Sequence, residues 1–292
     1  MTTIRDLFTK AGEIYPPIIQ SLLNDSYGVK YTFDEIEDFK KSAPLDRNLI
    51  YWSEILYRAH WAATTNLVRH DRWFNGCIQH SLNSPNYIMF CSALRGLLES
   101  VTDTYHSLAA IPLTLAESCD YIDPALQRKV TEKLGTSEEL ENALIHFQFA
   151  KKHNKKSTAP LSHHALQATK YIIEMDEPSL QLQNLYTELC QVVHPAYEST
   201  SWLIKSESNR YWIQPPHDIA FIRDICERYS TAIERLQINS ANISIFIYKT
   251  INEFQLPTLH NKAANEINMS TSPLQSKIDT AFKSRRGINL KD

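Results

Sequence analysis

The chain has 292 residues, 43% hydrophobic and 22% charged, with a formal net charge of −3. That length holds one large domain or two ordinary ones, and the apolar content allows a sizeable core. So small a charge points neither to a general nucleic-acid binder nor to an acidic-tail protein.

Elements can be read in chain order from periodicity and breakers. Residues 4–23 carry a loose helical pattern interrupted by Pro16-Pro17, and a short acidic helix is predicted at about 32–41. One long helix is predicted over 46–82, where Trp52, Leu56, Ala59, Ala63, Leu67 and Phe74 recur at spacings of three, four and seven. Pro85 marks a break. A second long helix is predicted over 87–108, with Ile88, Cys91, Leu94, Leu97, Leu98, Val101 and Tyr105 on its apolar face. Asp123 and Pro124 read as N-cap and first residue of a helix that closes at Gly135. Residues 136–139 (TSEE) offer a capping box for a helix reaching about 152. Residues 151–164 (KKHNKKSTAPLSHH) read as an exposed loop, with Ser162 as the cap of the next helix. Pro178 opens a helix that ends near His194-Pro195. The segments 201–205 (SWLIK) and 210–214 (RYWIQ), around a polar SESN, read as a small hairpin. A last long helix starts at His217 or Asp218 and reaches about Phe254. Beyond 256 the sequence turns polar, as expected of a disordered tail or docking arm.

The expected fold is therefore all-α: a helical bundle with a small β-hairpin insertion at about 200–215. Its expected divisions are an N-terminal helical segment (1–45), the bundle (46–255) and the tail (256–292). Residues 1–10 lack a signal-like apolar run, and no stretch reaches the roughly 18 apolar residues of a membrane span. Five cysteines without a CxxC suit a reducing compartment, so a cytoplasmic protein with no membrane association is expected.

Glycine is informative by its scarcity. Only six occur, and no two form GxG or GxxxxGK. Phosphate-cradling loops need glycine for close backbone approach, so Rossmann, P-loop and kinase-type sites are disfavoured. No HExxH, HxH or GxSxG occurs among the eleven histidines and their neighbours. His163 and His164 are adjacent and would point about 100° apart on a helix. Cys190 and His194, four apart, read first as a buried thiol above a helix-terminal histidine and only second as a metal or nucleophilic pair. No cofactor or metal site is expected. Lys151, Lys152, Lys155 and Lys156 with His153, and Lys283, Arg285 and Arg286, read as solvated charge before they read as phosphate contacts.

One constellation stands apart. The run CSALRGLLESVTDTYH places Arg95 and Glu99 four apart on one helix face, with Asp103 and His106 nearby. An arginine in an apolar helix needs a partner, and Glu99 is the simple one. The run LYTELCQVVHPAY sets Pro195 after His194, which pushes that histidine out of helical geometry to a helix end. A polar cluster of Arg95, Glu99 and His194 in a bundle groove is the sharper expectation.

These two runs together resemble all-α proteins of the HEPN superfamily (higher eukaryotes and prokaryotes nucleotide-binding). The resemblance covers about 46–255 in architecture and the two runs in letters. It implies a bacterial defence or toxin–antitoxin-like setting, and in active members a metal-independent endoribonuclease working across a dimer. Such members carry Arg, then His after four to six positions. Here the arginine positions before His194 hold Thr187, Glu188 and Leu189. Arg210 and His217 match the spacing by accident, across Pro215-Pro216. The departure implies a non-catalytic member. The expected function is a non-enzymatic or regulatory helical protein that binds a protein or nucleic acid, with a protein or RNA as the expected partner and a homodimer allowed. The alternative is a ribonuclease using His194 as general acid/base and Arg95 or Arg210 on the phosphate.

Overall fold

The computed structural model describes residues 2–129, 135–153, 158–195 and 197–287. The chain is all-α, with one two-stranded antiparallel hairpin among those residues. The elements are α1 (Ile4–Phe8), α2 (Ala11–Ser26), α3 (Ile36–Lys41), α4 (Pro44–Ile78), α5 (Tyr87–Leu108) and α6 (Ile111–Glu117). Next come α7 (Cys119–Leu126), α8 (Glu138–Phe149), α9 (Ala168–Met175), α10 (Leu182–Val193) and α11 (Glu198–Ser201). After the strands β1 (Ile204–Glu207) and β2 (Arg210–Ile213) come α12 (Asp218–Arg228), α13 (Ser230–Asn252), α14 (Lys262–Glu266) and α15 (Pro273–Arg285). No helix among the described residues is long and apolar enough to cross a membrane.

Several local expectations are corrected. Helix α2 runs through Pro16-Pro17, without the two bonds that their missing N–H groups would have made. The helix expected over 46–82 is α4 continued by a π-helical turn at Gln79–Asn83. Asp123 and Pro124 lie inside α7 rather than opening a helix. The Asp123 carboxylate is taken by Arg286 at 2.8 Å and is not free to cap. Ser137 does cap α8, accepting from the Leu140 N–H. Ser162 caps nothing, because α9 begins only at Ala168. Helix α10 starts later than Pro178: the Asp176 carboxylate accepts from the backbone N–H groups of Leu182 and Gln183 at 2.7 and 3.1 Å and so fixes its first turn. The long helix expected from 217 to 254 is two helices, α12 and α13, parted at Tyr229.

Contacts divide the chain into two compact units, each assembled from three separated stretches, so the divisions expected at 45/46 and 255/256 are not unit boundaries. The first unit comprises the residues up to Ile19, Val68–His106 and Gln167–Ala241. Its core packs Phe90, Leu94, Leu97 and Val101 of α5 with Leu182, Leu185, Leu189 and Val192 of α10 and Ile222 and Ile225 of α12. Their spacings of three and four are those of one helix face. Ile88, expected on that face, is exposed, and Phe90 is buried instead. His70 is fully buried, with Nε2 and Gln237 Oε1 2.9 Å apart.

The second unit comprises Gln20–Leu67, Ser107–Leu166 and the residues from Asn242 onward. Its segment before α3 packs through Tyr31, whose ring stacks on Trp61 and whose hydroxyl lies 2.8 Å from His60 Nδ1. Among the described residues, 256–287 pack within this unit, where a disordered tail or docking arm was expected. Ile278 and Phe282 of α15 are buried, and the Phe282 ring meets Phe254 at 5.6 Å. Arg285 and Arg286 are committed to Asp120 and Asp123 at 3.4 and 2.8 Å.

Burial holds both His60 and His70 well below the ordinary histidine value, at about 4. An unfolded histidine titrates near 6.5, so between those values the unfolded chain binds more protons. Stability should be intact above pH 6.5 and should fall as pH drops toward 4, by on the order of 3 kcal/mol per histidine. Denaturant midpoints at neutral and mildly acid pH check this, and His70→Gln should flatten the slope. Phe282→Ala should cost about 3–5 kcal/mol in the same measurement if the C-terminal helix is part of the core. An unchanged midpoint would mean that α15 is not docked in solution.

Candidate functional site

The first unit brings together all three residues expected to form a cluster. Arg95 and Glu99 occupy one face of α5, one turn apart. The Arg95 Nε donates to Glu99 Oε1 at 2.9 Å. His194 is the residue that ends α10, with φ −81° and ψ 153°, as the proline after it requires. Its Nε2 lies 3.3 Å from Arg95 Nη1. A guanidinium can only donate, so Nε2 accepts, and the imidazole proton of this arrangement sits on Nδ1.

Sequence reasoning missed the fourth member, Tyr186. Its hydroxyl donates to the same Glu99 Oε1 at 3.0 Å, and its ring lies 5.6 Å from the Arg95 guanidinium carbon. The signal was present: Tyr186, Cys190 and His194 recur every four residues, which places them on one face of α10. Burial, then the Glu99 charge, pushes the Tyr186 phenol up to about 12. Burial alone would lower the Arg95 guanidinium, but Glu99 more than offsets this and raises it. Arg95 and Glu99 are partly shielded, while His194 is exposed. The cluster is therefore a shielded ion pair with a solvent-facing imidazole at its edge.

Other candidates go elsewhere. Asp103 pairs with Arg69 at 2.8 Å, and His106 with Glu174 at 2.5 Å. The one bond between Cys190 and His194 is backbone, N–H to carbonyl at 2.9 Å, so the thiol–imidazole pair is not formed. Arg210 lies on β2 opposite Glu207, and His217 precedes α12; it is Arg95, not Arg210, that meets His194. Among the positions where a HEPN arginine would stand, Glu188 is held by Arg228 through two bonds of 2.8 and 2.5 Å, and Leu189 is buried. Among the described residues no group of three or more His, Cys, Asp or Glu is placed to hold a metal ion. Lys155 and Lys156 lie outside the described residues.

The Tyr186–Glu99 bond ties α10 to α5 beside the ion pair. A double-mutant cycle over Tyr186→Phe and Glu99→Gln should show a coupling of about 1 kcal/mol in unfolding free energy. Additive effects would show that the bond is absent in solution.

No protein-family model, curated protein or solved structure matches this chain, so its geometry carries the functional argument.

Proposed function

We propose that this chain is a non-enzymatic, regulatory helical protein that acts by binding a partner protein. The carrying observation is the β1–β2 hairpin, every residue of which is exposed. In its register Ile204 faces Ile213 and Ser206 faces Tyr211, so these four share one side. Tyr211 is 73% exposed and Ile213 81%. Apolar side chains gathered on one exposed side are a liability in water and a contact surface when a partner covers them. The opposite side mixes Lys205, Glu207, Arg210 and Trp212, a composition suited to a protein interface. The cluster on α5 and α10 supports the non-enzymatic part of the proposal. Glu99 neutralises Arg95 and would repel a phosphate brought to it, and the arginine of the HEPN motif is missing. We place the protein in the cytoplasm, and take a bacterial defence or toxin–antitoxin-like setting from the HEPN resemblance.

One observation favours a second role. Arg95 and the exposed His194 converge to 3.3 Å, close enough to serve one phosphodiester. In a metal-independent ribonuclease His194 would take the ribose 2′-hydroxyl proton while Arg95 holds the phosphate charge.

Two measurements separate these roles. A photo-crosslinking residue at Ile213 should give a discrete protein adduct in cells, lost when Tyr211 and Ile204 are changed to serine. The purified protein should leave single-stranded RNA uncut in EDTA. RNA cleavage that disappears in His194→Ala would establish the ribonuclease, and absence of any adduct would remove the binding role.

A further inference from the structure

An open cavity of about 600 Å³ lies in the first unit, on a different face of α10 from the Arg95 cluster. Three rings form one wall: Tyr87 at the start of α5, Trp202 just after α11, and Phe221 of α12. Their centroids lie 5.3–5.6 Å apart, two pairs edge to face and one tilted. The Trp202 indole N–H is spent on the Ser199 carbonyl at 3.0 Å. The Tyr87 backbone N–H donates to Asp218 Oδ1 at 2.6 Å, which ties the first residue of α5 to α12. The aromatic wall is thus fixed before any ligand arrives.

Among the described residues, the charged ones lining the cavity are Glu188 and Glu198, with no lysine, arginine or histidine. Behind the lining, Arg228 bonds Glu188 but also bonds Asp224 at 2.9 Å, so one cation answers two carboxylates. Glu198 makes no ion pair or side-chain hydrogen bond among the described residues. The cavity therefore carries net negative charge beside aromatic rings. A phosphate or carboxylate ligand would be repelled. A bare metal ion would find too few ligands, because Glu188 is already committed to Arg228. A neutral apolar ligand would leave the carboxylates unused. Aromatic faces and carboxylates each attract a positive charge, and the two attractions add on an alkylammonium or guanidinium group.

We propose that this cavity is a binding site for a small organic cation of the ammonium or guanidinium type, held between the Trp202 face and Glu198. The cavity adjoins the base of the hairpin, where Gln214 Nε2 donates to the Trp202 carbonyl at 3.1 Å, but Glu198→Gln leaves the exposed Ile204, Tyr211 and Ile213 untouched, so its failure and that of the partner-binding role are separable.

Titration of the whole chain with agmatine, an aminoalkylguanidine, tests the free small-molecule source, and with N-acetylarginine amide the side chain of a partner. The readouts are the ¹H–¹⁵N signal of the Trp202 indole and calorimetry. We expect saturable millimolar or tighter binding of at least one cation, no binding of 1,4-butanediol or succinate, and about fivefold weaker binding in Glu198→Gln. Trp202→Leu should abolish it. Should that variant not fold, Glu198→Gln, on a surface helix of four residues, keeps the test open. No saturation by either cation, equal binding of butanediol, or an unchanged affinity in Glu198→Gln would each overturn the proposal.

Discussion

The packing of α5 against α10 is the contact on which the first unit's chemistry depends. Leucines 94 and 97 on one helix and 182, 185 and 189 on the other are almost wholly buried. Each such side chain gains roughly 1.5–3 kcal/mol by leaving water, so together they far outweigh any single polar contact nearby. This packing fixes which residues face across the seam. Arg95 and Glu99 flank the apolar stripe of α5, and Tyr186 and His194 flank that of α10. The polar cluster forms because the leucines set the register, and its ion pair contributes little to holding the helices together.

The same seam decides what the cluster can do. Arg95 reaches His194, but only with one face already given to Glu99. A cation that is to hold a phosphate works best unneutralised in a water-poor groove, whereas this one is matched by a carboxylate at 2.9 Å. The tyrosine on the same carboxylate tightens that match. On the other face of α10 the balance reverses: Glu188 shares Arg228 with Asp224, and the aromatic wall beside it is left facing negative charge. A single helix thus borders two environments of different charge.

The second unit links some of its buried polar groups in chains, while Trp52 Nε1 and Thr250 Oγ1 have no partner among the described residues. Ser26, Thr64 and Tyr248 share hydroxyl bonds of 2.9–3.1 Å, and Asn66 donates to Ser244 at 2.9 Å. His60 is buried beside this chain without a charged partner, which is why burial alone sets its low value. In the first unit His70 Nδ1 and Gln237 Nε2 lack any bonding partner among the described residues. Unsatisfied buried nitrogens cost about 1–3 kcal/mol each, which leaves this pair a weak point of that core.

Much of this was legible in the sequence because it depends on local spacing. The long periodic stripes specify α4 and α5, the Trp- and Ile-rich segments around SESN specify the hairpin, and Pro195 places His194 at a helix end. Arg95 and Glu99 were legible as an i,i+4 pair. What the sequence could not assign were contacts between stretches far apart in the chain. Tyr186 reads as one more core aromatic until α10 is docked on α5. Asp103 and His106 share a neighbourhood with Arg95 in the letters, yet packing turns them to Arg69 and Glu174. The last residues look polar because α15 buries only a narrow stripe, and the Asp120 and Asp123 that bind its arginines lie more than a hundred positions upstream. Periodicity records which face of a helix is apolar, whereas the partner for that face, and the charges it brings, is settled only when separated segments meet.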